Sequence, residues 1–364
     1  MVYELINDTN KTTPEIRVAF VCYSPNASFI RNDYRILSKH FCVDKFNYRR
    51  AWDALGMMAV IWRSDVSFSW FAGGHAFLAV LFSKILRKKA IVVAGGFDVA
   101  YVPEINYGQF TLGWHKKTFT KFALKYADII LPVSDFTKRE VLFHVKPRNV
   151  QTVYNGINSE KFMPGCEKCN LVITVASGWG SVITLKGLDI FTQIAALIPD
   201  TEFVVIGLSE IDMDTLKTPN LRKNIKLFGH VSQDELISWY QKAKVYCQLS
   251  YRESFGMALA EAMLCGCVPV VTERGALPEV VGDTGFYVPY GDPEATAEAI
   301  KKALKSEKGA GARERIIKNF PIEKREKELI KIIENMGLIL KCINSYVYII
   351  SPIVLWPVLH YNGT

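Results

Sequence analysis

Residues 250–289 read SYRESFGMALAEAMLCGCVPVVTERGALPEVVGDTGFYVP, and this stretch decides the fold. Phe255, Leu259, Met263 and Leu264 fall at helical spacing, and a buried β run follows at Val268 to Val271, bounded by Gly266 and Glu273. A strand at Val245 to Leu249 comes directly before it. Strand, helix and strand in succession make a parallel α/β unit. Two carboxylates, Glu253 and Glu261, stand at the ends of the apolar segment. Glu261 is the only charge in that helix and needs a partner, because a bare carboxylate in a low-dielectric interior costs several kcal/mol or shifts its ionisation. Glu253 precedes the helix and is followed by Ser254, Phe255 and Gly256, so the first free N–H groups of the helix lie beside its carboxylate. Read for chemistry, this is a site for a polyhydroxylated, phosphorylated ligand whose hydroxyls donate to the two glutamates. Read for structure alone, it is two salt bridges.

Outward from this stretch, size and composition set the bounds. A chain of 364 residues accommodates two domains, and 49% hydrophobic with 22% charged residues suits large cores rather than disorder. The formal net charge of +8 points to an anionic partner: a nucleotide, an acidic lipid surface or a nucleic acid. Nucleic acid is disfavoured, since the cations are dispersed and no aromatic-basic RNA motif is present. The eight cysteines are scattered, and residues 1–15 are polar rather than signal-like, which leads to a reducing cytoplasm as the expected compartment.

The first half alternates strand and helix. Ile16 to Tyr23 is a strand ending in the loop Ser24 to Ser28, which holds Asn26. Ile30, Tyr34 and Leu37 keep helical spacing, and a strand at Phe41 to Val43, a helix around Trp52 to Val60 and a strand at Val66 to Trp70 follow. Gly73-Gly74-His75 opens an apolar helix that ends in Arg87-Lys88-Lys89 and is too short for a bilayer. The strand Ala90 to Val93 leads into the loop Ala94-Gly95-Gly96-Phe97-Asp98, at the strand end where ligands gather in open α/β sheets. Trp114 to Tyr126 is a helix with Lys117, Lys121 and Lys125 on one face, which reads as a solvated face or as one for an anionic membrane surface. Ala127 to Val133 is a strand, Ser134 caps the next helix, and Val150 to Tyr154 closes this half.

The turn-rich segment NGINSEKFMPGCEKCN, from Asn155 to Asn170, is the linker. Its isolated Cys166-x-x-Cys169 lacks the second ligand pair that zinc requires. A second α/β series begins at Leu171 to Val175. The loop ASGWGSVITL, containing Gly180 and Ser181, leads to Lys186 and a helix from Gly187 to Leu197. Lys186 beside a helix start reads as a phosphate clamp or as a surface lysine, and the segment is no Walker loop. Strands at Phe203 to Ile206 and Ile225 to Phe228 and a helix from Asp234 to Ala243 follow. Helices starting at Asp292-Pro293 and spanning Ile322 to Met336 close the series.

Taken together, these residues resemble the retaining nucleotide-sugar glycosyltransferases of family 4, the glycogen-synthase-like group 1 enzymes. The resemblance reaches to about residue 336. Glu253-Ser254-Phe255-Gly256 and Glu261 form the E-x7-E pattern, with Gly266, Pro269, Val270, Gly275, Pro278-Glu279 and Gly285 in register. Val153-Asn155-Gly156 with Phe162, Lys186-Gly187, and Phe228-Gly229-His230-Val231 agree as well. The resemblance implies an α/β fold of GT-B type: two Rossmann-like doubly wound domains facing across a cleft. Residues 1–160 form the acceptor-binding domain and 170–320 the nucleotide-sugar-binding domain. A helix at about 322–336 crosses back, and 337–364 form an apolar tail.

By the same resemblance, Glu253 holds the donor sugar and Lys186 neutralises the departing diphosphate. The amides of Phe255 to Met257, with Ser254 and Gly256, cradle sugar and diphosphate, and Glu261 takes the ribose. Gly180 and Ser181 lie on the phosphate side, and Asn26, Gly95, Gly96 and Asp98 line the first-domain cleft. The family commonly has an arginine where Ser181 stands and a histidine where Gly95 stands. The implied partners are a nucleotide sugar and a lipid-linked, polysaccharide or glycoprotein acceptor. No cofactor is expected beyond the donor, nor any metal, since no Asp-x-Asp pattern is present. Alternatives are a degenerate GT-B binding protein and a nucleotide-sugar epimerase of the same fold. A dehydrogenase is disfavoured by the missing G-x-G-x-x-G.

The tail GLILKCINSYVYIISPIVLWPVL, 337–359, is apolar but interrupted by Lys341, Asn344, Pro352 and Pro357. It reads as an interfacial anchor, a packed segment or a span. The expectation is a cytoplasmic protein, either free there or peripheral on the cytoplasmic membrane face.

Overall fold

The computed structural model describes residues 16–350 apart from 25, 51, 177–181 and 218–221, and for 337–350 the backbone alone. The first domain alternates β1 (Arg17–Cys22), α1 (Ser28–His40), β2 (Cys42–Asn47), α2 (Asp53–Trp62) and β3 (Val66–Trp70). It continues with α3 (Gly74–Ile85), β4 (Lys89–Ala94), α4 (Trp114–Tyr126), β5 (Ile129–Pro132) and α5 (Asp135–His144). The strands form one parallel sheet in the order β2-β1-β3-β4-β5. Strands β3 and β5 are buried along their whole length, whereas the edge strand β2 is half-exposed. That is the pattern of a parallel sheet covered by helices on both faces. Helices α2, α3 and α4 pack on one face, through Met57, Ile61, Ala76, Val80 and Leu124; α1 packs on the other.

The second domain starts with β6 (Cys169–Val175), α6 (Val182–Lys186), α7 (Leu188–Leu197), β7 (Glu202–Ile206) and α8 (Glu210–Leu216). Then come β8 (Ile225–Phe228), α9 (Gln233–Lys242), β9 (Ala243–Gln248), α10 (Met257–Leu264) and β10 (Val268–Thr272). It ends in α11 (Leu277–Val281), β11 (Phe286–Val288), α12 (Pro293–Leu304) and α13 (Lys308–Asn319). Its sheet runs β11-β10-β9-β6-β7-β8, also parallel. Strand order reverses between β1 and β3 in the first sheet and between β6 and β9 in the second, so each domain opens a crevice at those strand ends.

Several elements differ from the sequence reading. The helix expected from Gly187 to Leu197 is α7, but the expected loop before it holds a further short helix, α6, and Gly187, at φ 65°, breaks the two apart. A Cβ there would lie 2.3 Å from the Leu249 carbonyl oxygen, so only glycine lets this turn close against the end of β9. Helix α13 escaped the reading because Gly309 and Gly311 dilute its helical signal; it forms by packing on α10. Helices α8 and α11 and strand β11 were missed because each is too short to carry a period. Val150 to Tyr154, which closes the first half, touches the sheet through a bridge from Val150 to Ile130.

The helix expected to stop at Met336 is α14 (Ile322–Ile350), so residues 337–350 continue it rather than start a separate tail. Residues 351–364 of the expected tail lie outside the described residues. Among the described residues, no helix is long and apolar enough to cross a membrane.

Helix α14 returns to the first domain and packs on α1. There Arg325 donates to Asp33 through Nε at 2.6 Å and Nη2 at 2.7 Å, and through Nη1 to the Val153 and Tyr154 carbonyls at 2.8 and 2.9 Å. Trp70 Nε1 donates to the same carboxylate at 2.9 Å. Both charged side chains are nearly out of water, at 2% and 0% exposure. Removing one partner strands a buried charge. Arg325→Met is therefore expected to lower the unfolding free energy by about 3–5 kcal/mol, and adding Asp33→Asn to recover part of it. Urea denaturation of the single and double variants measures both.

Candidate active site

The second-domain crevice is built by the segments that follow β6 and β9. After β9 the chain passes Leu249 and Ser250 into Arg252-Glu253-Ser254 and enters α10 at Gly256, whose φ is 91°. The turn after β10 holds this loop, with Ala276 N–H donating to the Glu253 carbonyl at 2.9 Å. Lys186, at the end of α6, reaches across the switch point, and its Nζ donates to Glu253 Oε2 at 2.7 Å. Gln248 Nε2 and Ser250 Oγ approach the same oxygen at 3.3 and 3.4 Å, and Ser254 N–H donates to Oε1 at 3.3 Å. Sequence alone did not pair Lys186 with Glu253; the fold does.

Among the described residues no side chain caps the start of α10, which leaves its first-turn N–H groups as open donors. Phe255 is 2% exposed and packs edge-on against Phe320, which leaves its backbone as the part that can meet a ligand. Met257 and Glu261 line a cavity of about 190 Å³ together with Arg31, Arg35, Asn158 and Lys161. Among the described residues, the Glu261 carboxylate accepts one hydrogen bond, from Tyr240 Oη at 3.4 Å. Burial pushes its pKa up to about 7, against smaller lowering effects of the Tyr240 hydrogen bond and of Lys161. The partner foreseen outside the helix exists, but one long bond satisfies little of a carboxylate, which is left able to accept from hydroxyls entering the cavity.

The first domain meets this site through two loops. Asp98, 2% exposed, is spent on its own surroundings: Ala72, Gly95 and Gly96 N–H groups donate to it at 2.8, 3.1 and 2.7 Å. Burial raises its pKa, and backbone hydrogen bonds, those from Ala72 and Gly96 among them, oppose the rise together with Arg252. It shapes the loop rather than facing the cleft. Gly96, at φ 131°, lies so close to the second domain that a Cβ would sit 1.8 Å from Ser254 Oγ. A Cβ on Gly95 would collide with the Phe71 ring at 2.2 Å, so Phe71, itself at φ 67°, fills the space a side chain at 95 would take. Asn26 is exposed in the loop after β1. Gly180 and Ser181 lie outside the described residues.

Sequence reasoning missed Arg252, Glu140 and Glu279 as contacts between domains. Arg252 is 5% exposed, donates to both Glu140 oxygens, through Nε at 2.8 Å and through Nη2, and reaches the Gly96 carbonyl at 3.1 Å and Ser254 Oγ at 3.1 Å. Burial opposes its charge, and Glu140 more than restores it. Glu279 accepts from the Asp135 and Phe136 N–H groups at the start of α5, at 2.9 and 2.7 Å. The signal for Arg252 was its place beside Glu253; that for Glu140, 112 positions away, was absent.

The two parallel sheets and the cleft between them define the GT-B architecture. Residues 179–321 match the model of the family described as glycosyl transferases group 1, and with the relatives below this match supports a glycosyltransferase that uses nucleotide sugars. It is 25% identical over 288 residues to N-acetyl-alpha-D-glucosaminyl L-malate synthase of Bacillus anthracis, covering 71% of this chain and 72% of the relative. With a phosphatidylinositol N-acetylglucosaminyltransferase component of Arabidopsis thaliana it shares 22% identity over 334 residues, 80% and 75% of the two chains. Among solved structures, Anabaena HepE in complex with UDP-glucose superposes with a TM-score of 0.72 at 14% identity, covering 88% of this chain and all of that one. Sucrose-phosphate synthase of Thermosynechococcus elongatus gives 0.71 at 16%, covering 88% and 99%.

The raised Glu261 pKa has a sign. A folded pKa above the ordinary 4.5 means that this group's contribution to stability is full at low pH and is lost as pH climbs through about 7. Between pH 5 and 8 the ligand-free protein is expected to lose stability relative to Glu261→Gln by on the order of 2 kcal/mol. Parallel denaturant titrations of the two proteins across that range check it.

Proposed function

We propose that the enzyme transfers a sugar, with retention at the anomeric carbon, from a uridine diphosphate sugar to a hydroxyl of a lipid-linked or glycan acceptor. The observation that carries this reading is the Lys186–Glu253 pair beside the uncapped start of α10. Each member of that pair matches one part of the donor. The diphosphate takes Lys186 and the free N–H groups of α10, sugar hydroxyls donate to Glu253, and the ribose donates to Glu261.

The chemistry then asks little of the protein beyond positioning and charge stabilisation. The acceptor oxygen approaches the anomeric carbon from the face of the leaving diphosphate. The bond from carbon to phosphate oxygen breaks as the new glycosidic bond forms, and the acceptor proton passes to the departing phosphate oxygen. Lys186 and the helix N-terminus offset the charge that gathers there. No side chain is required as nucleophile, and no metal is required to balance the charge.

Support for the donor comes from the neighbours solved with UDP and UDP-glucose, and support for N-acetylglucosamine as the sugar comes from the names of the two relatives. A membrane-borne acceptor is in keeping with the phosphatidylinositol of the plant relative's name. Release of UDP from UDP-N-acetylglucosamine in the presence of lipid and glycan acceptors is the direct test, with NMR of the product fixing the anomer. Glu253→Ala and Lys186→Ala are each expected to lower kcat by roughly 10²–10³, while EDTA leaves turnover unchanged. Near-native rates for Glu253→Ala would overturn the assignment. In a melting assay, UDP at ~100 times its Kd is expected to add about 2.7 kcal/mol of stability, with GDP and ADP adding less.

A further inference from the structure

Helix α2 is apolar on every side, DALGMMAVIW, yet it sits on the outside of the first domain, and only Met57 and Ile61 are buried. A helix of that composition normally lies within a core. Its outward positions Trp52, Leu55, Ala59 and Trp62 follow one another at steps of three and four and form one stripe along the solvent side. Trp52, Leu55 and Trp62 are 71%, 79% and 67% exposed. Surface hydrophobics scattered singly need no explanation; a continuous stripe ending in two tryptophans does.

Arginines flank both ends of the stripe. Arg49 and Arg50 precede α2 and Arg63 follows it, with the Arg50 guanidinium 5.7 Å from the Trp52 ring. Helices α2, α3 and α4 lie side by side on the same face of the sheet. Their sequences hold a single acid, Asp53, against Lys84, Lys116, Lys117, Lys121 and Lys125. Asp53 is occupied by the Arg49 and Arg50 N–H groups, and Lys84 by Asp128. On the two neighbouring helices Ile85 and Trp114 are exposed as well.

We propose that this outer face of α2, α3 and α4 is a docking surface for an anionic lipid bilayer. Tryptophan and leucine enter the interface while arginine and lysine meet acidic headgroups. A second copy of the chain fits worse, since it would bring the same cations face to face with almost no acid to pair them. In a parallel sheet the crossover helices run opposite to the strands, so α2 and α4 start at the cleft end. The docking face thus reaches the cleft rim at Trp52 and Trp114. The proposal stands on this surface alone and does not depend on the identity of donor or acceptor.

The experiment is sedimentation of the full chain with vesicles of phosphatidylcholine alone or containing one third phosphatidylglycerol, at low and high salt. The protein is expected to pellet with the anionic vesicles and to be released as salt rises. Leu55→Glu with Trp62→Glu should lower the partition by at least roughly tenfold without changing the melting temperature, and Leu55→Ser with Trp62→Ser should act in the same direction. Reversal of Lys116, Lys121 and Lys125 to glutamate should abolish the preference for anionic vesicles. No binding by the unaltered protein would overturn the proposal, as would undiminished binding by the stripe variants. A dimer in light scattering that the stripe substitutions dissolve would assign the face to a second copy instead.

Discussion

The guanidinium of Arg252 is held out of water, and neither domain could keep it there by itself. The Glu140 carboxylate and the Gly96 carbonyl come from the first domain, while Ser254 Oγ comes from the second. An unpaired cation at that depth costs several kcal/mol, so pairing Arg252 and bringing the domains together are one event. Glu253 is the next residue along the chain. The carboxylate that faces Lys186 is therefore set by a neighbour whose position depends on the opposite domain, and Gly96 must lack a side chain for the two loops to approach this closely.

Two further contacts complete the frame, and they use different physics. Glu279 supplies acceptors to the Asp135 and Phe136 N–H groups, which α5 cannot satisfy within its own first turn, and a carboxylate there also complements the helix dipole. At the back of the cleft, Arg325 joins α14 to Asp33 of α1 and to the Val153 and Tyr154 carbonyls at the domain crossing. Packing reinforces this hinge: Tyr154, Phe255 and Phe320 form one ring cluster that carries the core of the first domain into that of the second.

What was legible in the sequence follows from the range of each signal. Elements with a full period or a cap, such as α4, α12 behind Asp292 and α5 behind Ser134, stand where the pattern put them, because those signals are local. The loops carrying Glu253 and Lys186 were placed at strand ends by alternation of strand and helix. Their meeting at 2.7 Å depends on strand order, which alternation does not encode. Arg252 with Glu140, and Asp33 with Arg325, were invisible because each is a pairing across a long stretch of chain. The outward stripe of α2 was invisible for another reason: an apolar helix reads as buried, and only the packed sheet reveals which side was left uncovered.

Two ion pairs of nearly equal length stand in different surroundings here. Asp33 and Arg325 are 0% and 2% exposed, and their remaining polar atoms are taken up by Trp70 and two carbonyls, so exchanging a partner would strand a charge in the core. Lys186 and Glu253 are 18% and 15% exposed, at a crevice mouth and beside free helix N–H groups. Each member keeps a path to the crevice, so a group entering there can take over as its partner. In the proposed donor complex, a phosphate on the lysine and hydroxyls on the glutamate would replace one set of charge-assisted bonds with another. Distance alone does not mark a pair as a strut or as a site; what matters is whether each charge has somewhere else to go.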